Sequence, residues 1–227
     1  RVCLFMKTAV VDDNGTDLMA VKRMVCPNYK VLFNQELIEP KYMNFLYNLS
    51  DVTVSLSSAE GFGLSFNESI LAGTCVSGPV TGGLQDQMRF EDENGKWIEF
   101  TDEFPTNHTG RYKKCGSWAF PLFPSARALQ GSVPTPFIFD DYCNAEDLGK
   151  VLLELHGMTK YERDQRGLKG REWALSQESM MSSPVMCEKF IESVDMLFST
   201  WKKPSKFELI KIEDRKSVDN IGIVWRD

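Results

Sequence analysis

Histidine is nearly absent from this chain of 227 residues, with only His108 and His156. Neither has a cysteine or carboxylate at metal-ligand spacing, which argues against a zinc centre. The six cysteines, at 3, 26, 75, 115, 143 and 187, include no C-x-x-C pair. They read as separate thiols of a reducing compartment, not as a disulfide framework, so a cytoplasmic location is expected. No apolar run approaches the ~18–20 residues of a membrane helix. Positive charge is not in excess, and a net charge of −6 argues against a binder of nucleic-acid backbones that relies on bulk charge. No G-x-S-x-G surrounds a serine, and no glycine loop continues into the Gly-Lys-Ser/Thr of a P-loop. There is no initiator Met and no targeting segment, and the sequence opens directly on an apolar strand. The expectation is therefore a chain that starts inside a longer protein.

What is present is a core-forming composition, 42% hydrophobic and 11% aromatic, in which strand and helix patterns alternate. Val2–Met6 reads as a buried parallel strand. A helix capped by Thr16 or Asp17 runs to about Val25, its apolar face made by Leu18, Val21, Met24 and Val25. Val31–Phe33 is the next strand, and Pro40 opens a helix to about Tyr47 that buries Met43, Leu46 and Tyr47. The first ninety residues are thus expected to be α/β with a parallel sheet.

The stretch from Asp51 to Asp86 organises the rest. A strand begins at Val52, a turn Ser57-Ser58-Ala59-Glu60-Gly61-Phe62-Gly63-Leu64 follows, and a helix starts near Ser65 and stops at Gly73. A strand from Thr74 to Ser77 then leads to Gly82-Gly83. Such a βαβ unit leaves a ligand-sized opening at the carboxyl end of its first strand. Gly61 and Gly63 let the backbone approach a ligand, and amides at a helix start favour anions. Glu60 and Glu68, eight residues apart, are acceptors suited to hydroxyl groups. The combination points to a ligand bearing both hydroxyls and phosphates.

The pattern E-G-F-G-L-x-x-x-E resembles the E-x7-E motif of the family 4 retaining glycosyltransferases, which have two Rossmann-like domains (the GT-B fold). Tyr47–Asp51 and Ala72–Val76 are similar to that family's flanking segments. The resemblance implies the C-terminal, donor-binding half of such an enzyme, with a Rossmann-like parallel sheet and helices on both faces. It implies that Glu60 contacts the donor sugar and is the catalytic residue. Gly61, Phe62, Gly63 and Leu64, with Gly82 and Gly83, would face the sugar or distal phosphate. Glu68 and Asn34 would hold the nucleotide. The family's basic pyrophosphate clamp finds only a poor counterpart in Lys7 and Asn14-Gly15, so the first βα unit and the N-terminal domain are expected upstream of Arg1. No metal or other cofactor is expected, since the family is metal-independent and the chain has no D-x-D. Asp12-Asp13 reads as a turn and Asp140-Asp141 as an acid pair ahead of a helix.

From 89 to 141 the periodicity fails and turn formers are dense, yet the aromatics Trp97, Phe100, Trp118, Phe120, Phe123, Phe137 and Phe139 argue against disorder. This reads as a long insertion, and Gly116–Pro121, Arg127–Ser132, Pro134–Pro136 and Gly82–Gln87 look like glycosyltransferases of large DNA viruses and phages. Arg127 is a candidate phosphate or carboxylate contact there. Helices follow at Ala145–Leu155, Lys160–Leu175 and Pro184–Trp201, the last expected to turn Val185, Phe190, Val194, Leu197 and Phe198 inward. The domain is expected to span residues 1–202, with 203–227 as a tail. The expected activity is transfer of a sugar from a nucleotide-diphosphate sugar to an unknown acceptor. A nucleotide-sugar epimerase and a non-catalytic nucleotide-sugar-binding module are the alternatives.

Overall fold

Leu4–Lys7 (β1) pairs in parallel with Val31–Asn34 (β2), Leu4 opposite Val31, and the helix Leu18–Val25 (α1) connects them. The Asp17 side chain caps α1 by accepting from the Ala20 amide at 2.9 Å. Pro40–Leu49 (α2) follows, with Pro at its start. Val52–Val54 (β3), Cys75–Pro79 (β4) and Ala119–Leu122 (β5) then form a parallel sheet in the order β3-β4-β5. The computed structural model describes residues 2–13, 15–98, 107–108, 110–131, 133–134 and 137–203.

Between β3 and β4 runs Leu64–Ala72 (α3), which ends where Gly73 adopts a left-handed φ of 84° and returns its amide to the Ile70 carbonyl. Gly82–Gln87 (α4) is a short helix after β4, where only a glycine pair was expected. Ala126–Gln130 (β6) and Ile138–Tyr142 (β7) form an antiparallel hairpin, with Arg127 opposite Asp141 and Leu129 opposite Phe139. Ala145–Gly157 (α5) and Lys160–Ala174 (α6) follow, α6 opening on a capping box between Thr159 and Glu162.

The core centres on β4, which is buried along its length, with Phe66, Ile70, Val80, Leu84 and Met88 around it. Helix α6 lies directly on backbone: a Cβ at Gly167 would come within 1.9 Å of the Gly73 carbonyl oxygen. Trp118 stacks on Trp173 at 5.2 Å and gives its indole N–H to the Gln87 carbonyl at 3.1 Å.

The segment 89–141, expected as an insertion, therefore supplies a strand of the sheet as well as the hairpin. Its Phe90, Trp118 and Phe120 are buried in the core. In contrast, β1 was expected to be buried, but Leu4 and Phe5 are exposed, as are Met24 and Val25 of α1. The chain divides into two compact units, Arg1–Ser182 and Ser183–Asp227. The second unit holds Ser183–Thr200 (α7), on which Phe190, Leu197 and Phe198 are exposed instead of inward. The tail expectations beyond Lys203 lie outside the described residues.

Candidate functional site

The turn between β3 and α3 is shaped from behind by α4. The Gly83 amide donates to the Glu60 carbonyl at 3.0 Å. The side-chain amide of Gln87, fully buried, donates to the Phe62 carbonyl and to the Gly63 carbonyl at 3.2 Å. The carbonyls of Glu60, Phe62 and Gly63 are thereby held against α4.

The glycines at this contact are dictated by space. A Cβ on Gly82, whose φ is 47°, would lie 2.1 Å from the Glu60 oxygen, and one on Gly83 would lie 2.5 Å from both the Gly61 oxygen and the Phe62 Cα. Gly63 has φ 85° and sits against Leu84, where it caps α3. At Gly61 nothing lies within 4 Å of the Cβ position, so the turn is open on that side.

With the carbonyls engaged, the amides of Gly61, Phe62, Gly63 and Leu64 donate to no partner among the described residues. They lie at the start of α3, a nine-residue helix whose first amides have no intrahelical acceptor. The helix dipole adds partial positive charge at this end. Amides without an acceptor at a helix start are chemically suited to an anion.

Glu60 is half-buried, and its carboxylate takes no hydrogen bond or ion pair among the described residues. Phe62 and Leu64 are exposed. Glu68 lies just past the first turn of α3, where its carboxylate accepts the Tyr47 hydroxyl. The structure thus carries Glu60, the glycine turn and Glu68 on one β3–α3 unit. It packs Gly82 and Gly83 against the Glu60–Phe62 backbone, with the Gly83 amide donating to the Glu60 carbonyl.

Asn34 ends β2, its backbone carbonyl accepting the Thr8 amide at 3.1 Å while its side-chain oxygen is buried without a partner. No hydrogen bond links it to the turn among the described residues. Arg127 stands on the hairpin, where its guanidinium forks onto Asp141, Nε at 2.8 Å and Nη2 at 3.3 Å, and lies over the Phe139 ring. No hydrogen bond links it to the turn among the described residues.

Sequence reading missed two residues. Gln87 gave no signal, because a glutamine in a polar string carries no mark of burial. Asp141, read as an acid ahead of a helix, is instead a β7 residue with 3% exposure. Burial raises its carboxyl, but the hydrogen bonds from Arg127, Thr81 and Asn107 outweigh burial and hold it below the usual carboxylate range.

Neither histidine lies at the turn: His108 is buried among Phe90, Tyr112 and Phe123, and burial lowers its basicity. A cavity of about 420 Å³ lies elsewhere, lined by Asp86, Lys96, Trp97, Glu178, Ser179, Met180 and Met181, and shares no residue with the turn. Desolvation there pushes the Asp86 carboxyl up to about 6.

Parallel strands alternating with helices, and a glycine turn at the carboxyl end of β3, define a Rossmann-like α/β domain of the kind that makes up half of a GT-B glycosyltransferase. The solved structure of sucrose-phosphate synthase from Thermosynechococcus elongatus is similar, with a TM-score of 0.57 and 16% sequence identity. The similarity covers 87% of this chain and 39% of that one, so this chain spans about two-fifths of that protein's length. At this identity the likeness is one of fold. No family model and no curated protein matches the sequence. Among the described residues, no helix is long and apolar enough to cross a membrane.

Proposed function

We propose that this chain is the donor-binding half of a retaining glycosyltransferase that uses a nucleotide-diphosphate sugar. The observation that carries the reading is the glycine turn, whose carbonyls are tied back by Gly83 and Gln87 while its Gly61–Leu64 amides have no acceptor among the described residues. Such amides are suited to a diphosphate. Glu60, beside them and without a partner among the described residues, is suited to the hydroxyls of the sugar. Glu68 is suited to the ribose hydroxyls.

In the reaction, the bond from the anomeric carbon to the distal phosphate oxygen breaks, and a bond to an acceptor hydroxyl oxygen forms on the same face. The acceptor proton leaves to the departing phosphate. Negative charge grows on that phosphate as the bond breaks, so fixed amide dipoles stabilise the transition state more than the bound donor. Glu60 orients the sugar so that the reacting carbon lies over the acceptor oxygen. No protein nucleophile takes part. The remainder of the active centre and the acceptor site belong to the N-terminal domain that the resemblance implies.

The test uses the full-length protein and a panel of nucleotide sugars, read by donor breakdown and by thermal shift. Release of a nucleoside diphosphate from one panel member, lost on substitution of Glu60, supports the reading. Absence of both turnover and thermal shift across the panel overturns it.

A further inference from the structure

Two turns meet in the candidate site, and a closed circuit of hydrogen bonds runs through both. The Asp141 backbone N–H donates to the Ser58 carbonyl at 3.0 Å. Two residues along the same turn, the Glu60 carbonyl accepts the Gly83 amide, also at 3.0 Å. Two residues back from Gly83, the Thr81 hydroxyl donates to the Asp141 carboxylate at 2.9 Å and closes the ring. Thr81 is the residue that precedes α4, so the carboxylate holds the point where that helix begins.

The carboxylate end of the circuit is withdrawn from water, while Ser58 and Glu60 are half-buried. Asp141 is 3% exposed and Thr81 4%. A carboxylate at that depth requires compensation, and the Arg127 fork and the Asn107 side chain provide it together with Thr81. The hairpin partner of Asp141 thus does not reach for a ligand. It fixes the carboxylate that fixes the two turns.

We propose that Asp141 is a positioning residue for the donor pocket, joining the Ser57–Gly63 turn to the start of α4 and anchoring both to the base of the β6–β7 hairpin. What it positions, a nucleotide sugar against Glu60, rests on the reading given under Proposed function. The join itself is a property of the fold and needs no ligand to be observed.

Asp141→Ala removes the Thr81 leg of the circuit together with the Arg127 and Asn107 bonds to the same carboxylate, while the Asp141–Ser58 backbone bond and the backbone pairing of the hairpin need no side chain. Amide hydrogen exchange of the full chain without ligand then reads the join directly. Exchange is expected to rise by about tenfold or more at the Gly83 and Leu84 amides, which donate to the Glu60 and Thr81 carbonyls, with α5 and α6 keeping wild-type rates. Unchanged exchange at these two amides, or a uniform rise across the domain, overturns the join. Should Asp141→Ala fail to fold, Thr81→Val removes the same leg with little change of shape and must give the same local pattern.

The functional half is read on the panel member that the wild type turns over. Asp141→Ala is expected to lower kcat by about tenfold to a hundredfold, because a shift of about an ångström at a positioned group costs that much. The Kd for nucleoside diphosphate should rise by less than kcat falls, since the turn amides that face the diphosphate are loosened while Glu68 stands on α3 outside the circuit. Asp141→Asn, which still offers Thr81 an acceptor oxygen, should recover part of the lost rate. Loosened turns with an unchanged kcat overturn the positioning role. A wild type that turns over nothing defeats the proposed function instead, and exchange still decides the join.

Discussion

The Tyr47 hydroxyl donates a 2.7 Å hydrogen bond to the Glu68 carboxylate, joining α2 to α3. Burial, the hydrogen bond and the nearby negative charge push the phenol well above its ordinary range, so Tyr47 remains a donor at any working pH. One carboxylate oxygen of Glu68 is thus fixed in place by the protein, and the other takes no hydrogen bond among the described residues. Glu68→Ala should weaken binding of the matching nucleoside diphosphate by about 2–4 kcal/mol, and Tyr47→Phe by about 1 kcal/mol through lost orientation. Titration calorimetry on the full-length protein checks both, and unchanged affinity in Glu68→Ala would remove it from the nucleotide site.

Glu60 should contact the sugar and not the nucleotide. Glu60→Gln keeps the shape of the side chain and removes its charge. It should lower turnover by about 10–1000-fold with nucleoside diphosphate affinity near wild type. Steady-state kinetics beside calorimetry separate the two, and full transfer activity in the variant contradicts the assignment.

Gly61 and Gly83 should respond oppositely to alanine. A Cβ on Gly83 would lie 2.5 Å from backbone atoms of Gly61 and Phe62, so Gly83→Ala should destabilise the fold by about 1–3 kcal/mol. A Cβ on Gly61 meets nothing within 4 Å. Gly61→Ala should therefore keep its thermal stability and lose donor affinity, because the methyl occupies space where a ligand would approach. Normal donor binding by Gly61→Ala would show that the ligand does not come that close.

Asp86 gives a pH signature. Its folded carboxyl is raised from 3.8 to about 6 by desolvation, so the fold prefers the protonated acid. That preference is fully present below the unfolded value and is lost as pH rises from 3.8 to about 6. Above that pH, wild type carries a cost of about 1–3 kcal/mol. Asp86→Asn should raise Tm at pH 7.5 and leave it unchanged near pH 4. An equal gain at both values would mean that ionisation is not the cause.

Chelators should not abolish activity of the complete enzyme. Backbone amides at the start of α3 are placed to carry the charge of the leaving diphosphate, and the sequence has no D-x-D. Loss of activity in excess EDTA, restored by manganese, would place the chemistry in another class.

Local pattern carried the helices well. The spacing of Leu148, Val151, Leu152 and Leu155, and the Thr159/Glu162 pair, mark α5 and α6 because each signal is completed within a few residues. What failed was non-local. β5 is four residues with Pro121 inside it, tolerated because β5 lies at the end of the β3-β4-β5 order and one of its edges needs no donor. Only pairing with β4 makes it a strand. The β6–β7 hairpin was hidden in the same way, its two strands separated by the glycine- and proline-bearing connection 131–137. At the site, the glycine turn and the two glutamates were legible as a motif. The supporting role of Gly82-Gly83, the burial of Gln87 and the Arg127–Asp141 pair were not, because each depends on a partner at least fourteen residues away.

The contact of Gly167 with Gly73 has a mechanical consequence. Side-chain interfaces yield by changing rotamer, but here helix meets backbone with no side chain between, so the joint has no soft degree of freedom. The Gly73 amide also closes α3 and leads straight into β4. Helix α6, the end of α3 and the first residue of β4 must therefore shift as a single stiff strut. Pressure or cooling should compress the domain least along this line, and any hinge within the domain must lie outside it.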